Sequence, residues 1–157
     1  MGAAYFYHLT REPLERSLPQ LLSKARGAGW ICQVIGPDPD QLAALDASLW
    51  RGPPAEFLAH GLAGGPNDTD QPILLSTARI SQHPATCVMC IGGAEISASD
   101  VAALDRTCIL FDGNDEAALQ TARAQWKSLT DAGCAAQYWS QADGPWQKKA
   151  EKNTPAA

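Results

Sequence analysis

Cations are scarce through the middle of this chain. Between residues 27 and 122 only Arg51, Arg79 and Arg106 stand against twelve acidic residues, and the 157 residues carry a net charge of −5. The pI near 5.0 argues against a general nucleic-acid-binding surface, because phosphate neutralisation needs a basic face. Long apolar runs are missing as well. No stretch approaches the roughly 18 consecutive apolar residues of a membrane span. The start "MGAAYFYHLTREP" lacks a basic region followed by an apolar one, so the expected location is the cytoplasm.

Signatures of catalysis and cofactor binding are also missing. "GLAGG", "IGGAE" and "FDGND" each follow an apolar run. None supplies G-x-G-x-x-G after the first strand or G-x-x-x-x-G-K-[ST], and the first strand ends in the glycine-free "HLTREP". No phosphate cradle is expected at the first crossover. The three histidines, His8, His60 and His83, are dispersed. A Cys-His hydrolase could pair Cys87 or Cys108 with His60, but no local signature joins them, and His60 reads as a satisfied or partner-facing imidazole. The carboxylates fall mostly at helix starts, where capping explains them. No catalytic residue, metal ligand or cofactor is therefore assigned.

The five cysteines, Cys32, Cys87, Cys90, Cys108 and Cys134, are an odd number, set mostly in strand-like apolar runs. This suits buried, reduced thiols. "CVMC" has the spacing of a metal knuckle but no second ligand pair, and residues three apart on a strand point to opposite faces.

What is present is an alternation of strands and helices. Strands are expected over residues 3–9, 30–36, 72–76, 86–93, 107–113 and 134–140. A first helix carries Leu14, Leu18, Leu21, Leu22 and Ala25 at helical spacing, with Pro19 near a first turn capped by Ser17 and with Gly27 and Gly29 at its end. Further helices are expected over 38–50, with Leu42, Leu45 and Leu49 on one face, and over 97–105 and 114–133. Several strands are apolar throughout, so the sheet should be mostly parallel and covered on both faces: an α/β class, one domain over residues 1–140. Residues 141–157 show little periodicity and are expected to form a mobile tail.

Two surfaces stand out. "LWRGPPAEFLAHGLA" places Trp50 and Phe57 around a Gly-Pro-Pro connection; either these rings fold into the core, or they are anchors for a partner. On the helix over 114–133, Ala118, Ala122, Trp126 and Leu129 form the expected buried stripe. Arg123 lies about 60° round the wheel from Trp126, and Lys127 about 40° beyond Arg123. Two cations thus flank an aromatic at the stripe's edge, which by itself reads as a solvated basic face with Trp126 at the core rim.

"FYHL", "PLERSLPQLLSKARGAGW", "LDASLWRGPPAEFLAHGLA" and "ARAQWKSLTDAG", in that order and spacing, resemble the chi subunit family of the bacterial DNA polymerase III holoenzyme. The resemblance implies a Rossmann-like three-layer α/β/α domain without an activity of its own. It also implies two partners: the psi subunit, which leads to the clamp loader, and the acidic C-terminal tail of single-stranded DNA-binding protein. DNA is then met only indirectly. Trp50 and Phe57 match the family's surface for psi, also used by a helicase partner, and Arg123, Trp126 and Lys127 match its tail-binding site. A further basic position of some members is Thr130 here, with Lys148, Lys149 and Lys152 as possible compensation. The competing readings are a small nucleotide-binding or hydrolytic α/β enzyme and a stand-alone single-strand binder.

Overall fold

The computed structural model describes residues 3–10, 14–51, 60–64, 68–80, 82–140 and 146–153. They form one sheet with a helical layer on each face. The elements run β1 (Ala3–Leu9), α1 (Leu14–Gly27), β2 (Cys32–Ile35), α2 (Pro39–Trp50), β3 (Gly61–Leu62), a 3-10 turn at Asp68–Asp70, β4 (Ile73–Ser76), β5 (Cys87–Cys90), α3 (Ala98–Ala103), β6 (Arg106–Asp112), α4 (Glu116–Asp131), β7 (Ala135–Ser140) and β8 (Gln147–Lys152). The sheet order is β3-β4-β2-β5-β6-β1-β7-β8. Every pairing is parallel except that of β7 with β8. This is the Rossmann-like three-layer α/β/α arrangement.

Period-two alternation along the central strands supplies a core on each side. Tyr7, Val34, Met89 and Leu110 face α1 and α2, where Leu18, Leu22, Leu42 and Leu45 cover them. Phe6, Val88, Cys90 and Ile109 face α3 and α4, under Val101, Ala122 and Leu129. Cys87 and Cys90 consequently belong to opposite cores. Three helices begin where the sequence says they should. Asp38 Oδ1 accepts from the Asp40 N–H, Ser97 Oγ from the Asp100 N–H, and Asp115 Oδ1 from the N–H groups of Ala117 and Ala118, each satisfying a donor that the first turn leaves open. Gly133, at φ +92, ends α4 in the left-handed conformation that glycine adopts without strain.

Two expectations are corrected. Helix α1 starts at Leu14, so Ser17 is no cap: it is buried inside the helix, and Pro19 is an interior residue. The apolar period running from Leu14 through Leu18 and Leu22 wins over the proline, which gives up only the hydrogen bond to the carbonyl of the exposed Glu15. The second concerns the C-terminal stretch. Six of its residues, with every side chain exposed, form β8. Backbone pairing to β7 makes this strand, and hydrophobic patterning cannot reveal it. Strand β3 is likewise new, and strand β2 is shorter than the expected 30–36.

Outside the two cores, Gln33 and His83 are buried together. Gln33 Nε2 donates to the Ile80 carbonyl (3.2 Å) and to His83 Nδ1 (3.2 Å), and Gln33 Oε1 accepts from the Ile80 N–H (2.8 Å). His83 Nε2 donates to the Gln71 carbonyl (2.7 Å). These contacts fix a neutral imidazole tautomer and tie the β4–β5 connection to β2. His83 is thereby a structural residue.

Candidate functional site

Helix α4 carries the expected basic and aromatic residues. Ala122 and Leu129 are buried, with Gln125 and Thr130 beside them. Trp126 is half-buried at the rim. Its ring meets Phe6 edge-on at 5.2 Å and Tyr138 at 6.2 Å, in the edge-to-face geometry that favours aromatic pairs. Tyr138 continues the surface toward Phe111 and His8, with centroids 5.9 and 5.8 Å away. An aromatic floor therefore extends from the helix across the ends of β1, β6 and β7.

His8 and Tyr138 are linked by a hydrogen bond of 2.5 Å at Nδ1. Burial lowers the His8 pKa below the usual imidazole range; a hydrogen bond to the Gly113 backbone opposes this and Arg123 adds to it. Burial raises the Tyr138 pKa against the pull of Arg123. Both groups are neutral at pH 7, with the phenol donating to Nδ1. A side chain at Gly113 would overlap the His8 ring, so glycine here leaves room for the imidazole.

The cations around this floor differ in their commitments. Lys127 Nζ lies 3.1 Å from Asp131 Oδ2, with side chains 79% and 57% exposed, a pair of little net worth. Arg123 is exposed and has no carboxylate partner among the described residues. Thr130 is 5% exposed, and its hydroxyl donates to the Trp126 carbonyl (2.7 Å). That helix position faces inward here.

The other expected surface lies at the far side of the sheet, next to the β3 edge. Trp50, the last residue of α2, is 53% exposed, and Leu62 is 42% exposed. The Trp50 ring lies 4.5 Å from that of His60. His60 is buried, its Nε2 3.1 Å from both the carbonyl oxygen and Oδ1 of Asp46; two acceptors at one nitrogen mean that Nε2 carries the proton. This anchors the end of the connection against α2. Phe57 lies outside the described residues.

The sequence offered less reason to expect a cavity of about 750 Å³. It opens at the carboxyl ends of β1, β5 and β6. Strand β1 leads into α1 on one face and its neighbour β6 into α4 on the other, so this is a switch point of the kind where open α/β sheets bind ligands. Among the described residues that line it, Glu15, Asp112 and Asp115 are acidic and none is a lysine or arginine, and Asp115 meets open first-turn donors of α4; this part of the lining is unsuited to a polyphosphate. A Cys-His pair fares no better. Cys87 on β5 lies three strands from β3, beside which His60 sits, a span of roughly 14 Å. Hydrogen bonding to Cys108 and burial also hold the Cys87 thiol well above its usual pKa, the opposite of what a nucleophile needs. Burial pushes Cys90 up to about 12. Among the described residues no group of His, Cys, Asp or Glu is arranged to hold a metal ion, and no helix is long and apolar enough to cross a membrane.

The described residues thus form a three-layer α/β domain with an aromatic-floored helix face, Arg123 and Lys127 at its rim. The chain matches the family model of the DNA polymerase III chi subunit, HolC, over residues 1–137, and it belongs to that family. It is thus of the kind that forms part of DNA polymerase III. A search of curated proteins finds no match.

Proposed function

We propose that this chain is a non-catalytic adaptor of the DNA polymerase III holoenzyme, acting in the cytoplasm. On this reading the α4 face binds the acidic C-terminal tail of single-stranded DNA-binding protein, and the Trp50 surface, with Phe57, binds psi or an equivalent partner leading to the clamp loader, or a helicase. The observation that carries the first half is Arg123, an exposed cation without a carboxylate partner among the described residues, one turn from the half-buried Trp126. A guanidinium fork can take a terminal carboxylate in two parallel hydrogen bonds. The aromatic floor around Trp126 and Tyr138 can receive an apolar terminal side chain. For the second half, Trp50 offers a large ring at a helix end already braced by His60, so docking orders little that is not ordered beforehand.

Capture from a lysate of the source with tagged protein, followed by mass spectrometry, tests the reading as a whole. Recovery of single-stranded DNA-binding protein together with clamp-loader subunits is expected, the former lost with Arg123→Ala and the latter with Trp50→Ala. Recovery of neither, or loss of both with either variant, contradicts the two-surface adaptor.

A further inference from the structure

Strand β8 lies wholly beyond the residues that match the chi family, 1–137, yet it is built onto the candidate site. It pairs antiparallel with β7, Ala150 opposite Tyr138 and Lys152 opposite Ala136. Directly opposed residues project from the same face of a sheet. Ala136 and Tyr138 belong to the core on the α4 side, so Ala150 and Lys152 project on that side too. Past the irregularity between Tyr138 and Trp139, Lys148 stands opposite Trp139. Trp139 packs against the other core, so Lys148 projects away from α4, where it pairs with Glu151 (3.0 Å).

The end of β8 is fastened to the end of α4. Asn153, at φ +59, adopts the left-handed conformation that asparagine tolerates better than most residues. From there its Nδ2 donates to the carbonyls of Thr130 (2.9 Å) and Cys134 (3.0 Å). These bonds satisfy a carbonyl in the last turn of α4 and one just beyond it, and they hold the preceding residue, Lys152, beside that turn. Lys152 is exposed, and among the described residues no carboxylate pairs with it. Arg123 and Thr130 are two helical turns apart, roughly 10 Å. Along α4, uncommitted cations therefore stand on either side of Trp126: Arg123 on the helix and Lys152 on the added strand, beside the turn of Thr130.

We propose that β8 is the second wall of the tail-binding groove and that Lys152 supplies the cation that the inward-facing Thr130 cannot. An acidic peptide then lies between α4 and β8 over Tyr138, its terminal carboxylate at Arg123 and an upstream aspartate within reach of Lys152. This inference rests on the tail-binding reading of α4 and adds to it a site element outside the family-matched region.

The test is fluorescence anisotropy with the full chain and a labelled acidic peptide ending in a free phenylalanine carboxylate. Lys152→Glu should weaken binding about fivefold and flatten the salt dependence, and Lys152→Gln should do so by about half as much, as rim charges act. Lys148→Glu, on the opposite face, should change Kd by less than about twofold, since screening removes most of an exposed charge's influence beyond ~8 Å. Far-UV dichroism and the melting midpoint show that each variant is folded. If Arg123→Ala weakens binding while Lys152→Glu binds like the wild type, the inference is overturned and the tail-binding reading stands. Equal weakening by Lys148→Glu and Lys152→Glu also overturns it, because net charge alone then explains the effect. If the wild-type chain does not bind, or Arg123→Ala binds as well as the wild type, the tail-binding reading fails and the inference falls with it.

Discussion

On the proposed reading, the two α4 cations should contribute unequally to tail binding, because only one of them is already paired. Arg123 has no carboxylate partner among the described residues, so a peptide carboxylate meets it without breaking an existing contact. A charge-assisted bond of this kind is worth about 1.5–3 kcal/mol, so Arg123→Ala should weaken peptide binding by roughly 10- to 150-fold. Lys127 is already 3.1 Å from Asp131. Redirecting it sacrifices that pair, worth about 0–1 kcal/mol, and leaves a repelling carboxylate nearby. Lys127→Ala should therefore cost only about two- to tenfold, and Asp131→Asn should tighten binding by about two- to fivefold by freeing the ammonium and removing the repulsion. Anisotropy titrations at fixed ionic strength near 0.1 M would read all three Kd values against the wild type. The reasoning is refuted if Lys127→Ala costs as much as Arg123→Ala, or if Asp131→Asn weakens binding.

Three further outcomes are expected. Because Trp50 is 53% exposed, Trp50→Ala should change unfolding free energy by no more than about 1 kcal/mol while cutting recovery of clamp-loader partners, consistent with a loss of roughly 2 kcal/mol; severe destabilisation would make Trp50 a folding residue instead. Gln33→Leu should destabilise by about 1–3 kcal/mol in denaturant melts, because it strands His83 Nδ1 and the Ile80 N–H while the Ile80 carbonyl keeps the Arg79 guanidinium, and an unchanged midpoint would show that the network is dispensable. The lowered pKa of His8 means that the unfolded chain binds more protons as pH falls through about 6.5, so its contribution to stability is present above that pH and lost below it. The melting midpoint should therefore fall less steeply between about pH 7 and pH 5 in His8→Gln than in the wild type, and parallel profiles would contradict this.

Legibility in the sequence followed the physics of each element. The apolar strands "CVMC" and "TCILFD" and the capped helices α2, α3 and α4 were readable because burial on both sheet faces and open first-turn donors leave marks on local composition. Strand β8 left no such mark, since its six side chains are exposed and its register comes from backbone bonds to β7. Strand β3 is two residues long, too short for any period. The Gln33–His83 contact spans fifty residues, and a glutamine inside an apolar strand carries no sign of its partner. For the site, the helical wheel placed Arg123 and Lys127 beside Trp126. It could not show that Lys127 is paired, that Thr130 faces inward, or that His8 and Tyr138 extend the floor from other strands. The switch-point cavity was equally hidden, because Glu15 of α1, Asp112 of β6 and Asp115 at the start of α4 are gathered around it only by the fold.

Calorimetric titration of the intact chain with one acidic peptide in two forms, ending in a free phenylalanine carboxylate or in its amide, tests the central claim most directly. The account predicts micromolar binding of the free acid, weakening as salt rises, and a loss of about tenfold or more on amidation, since only the carboxylate can use the Arg123 fork. Equal binding of the two forms, or no binding of either, would contradict it and leave the α4 face a solvated basic surface.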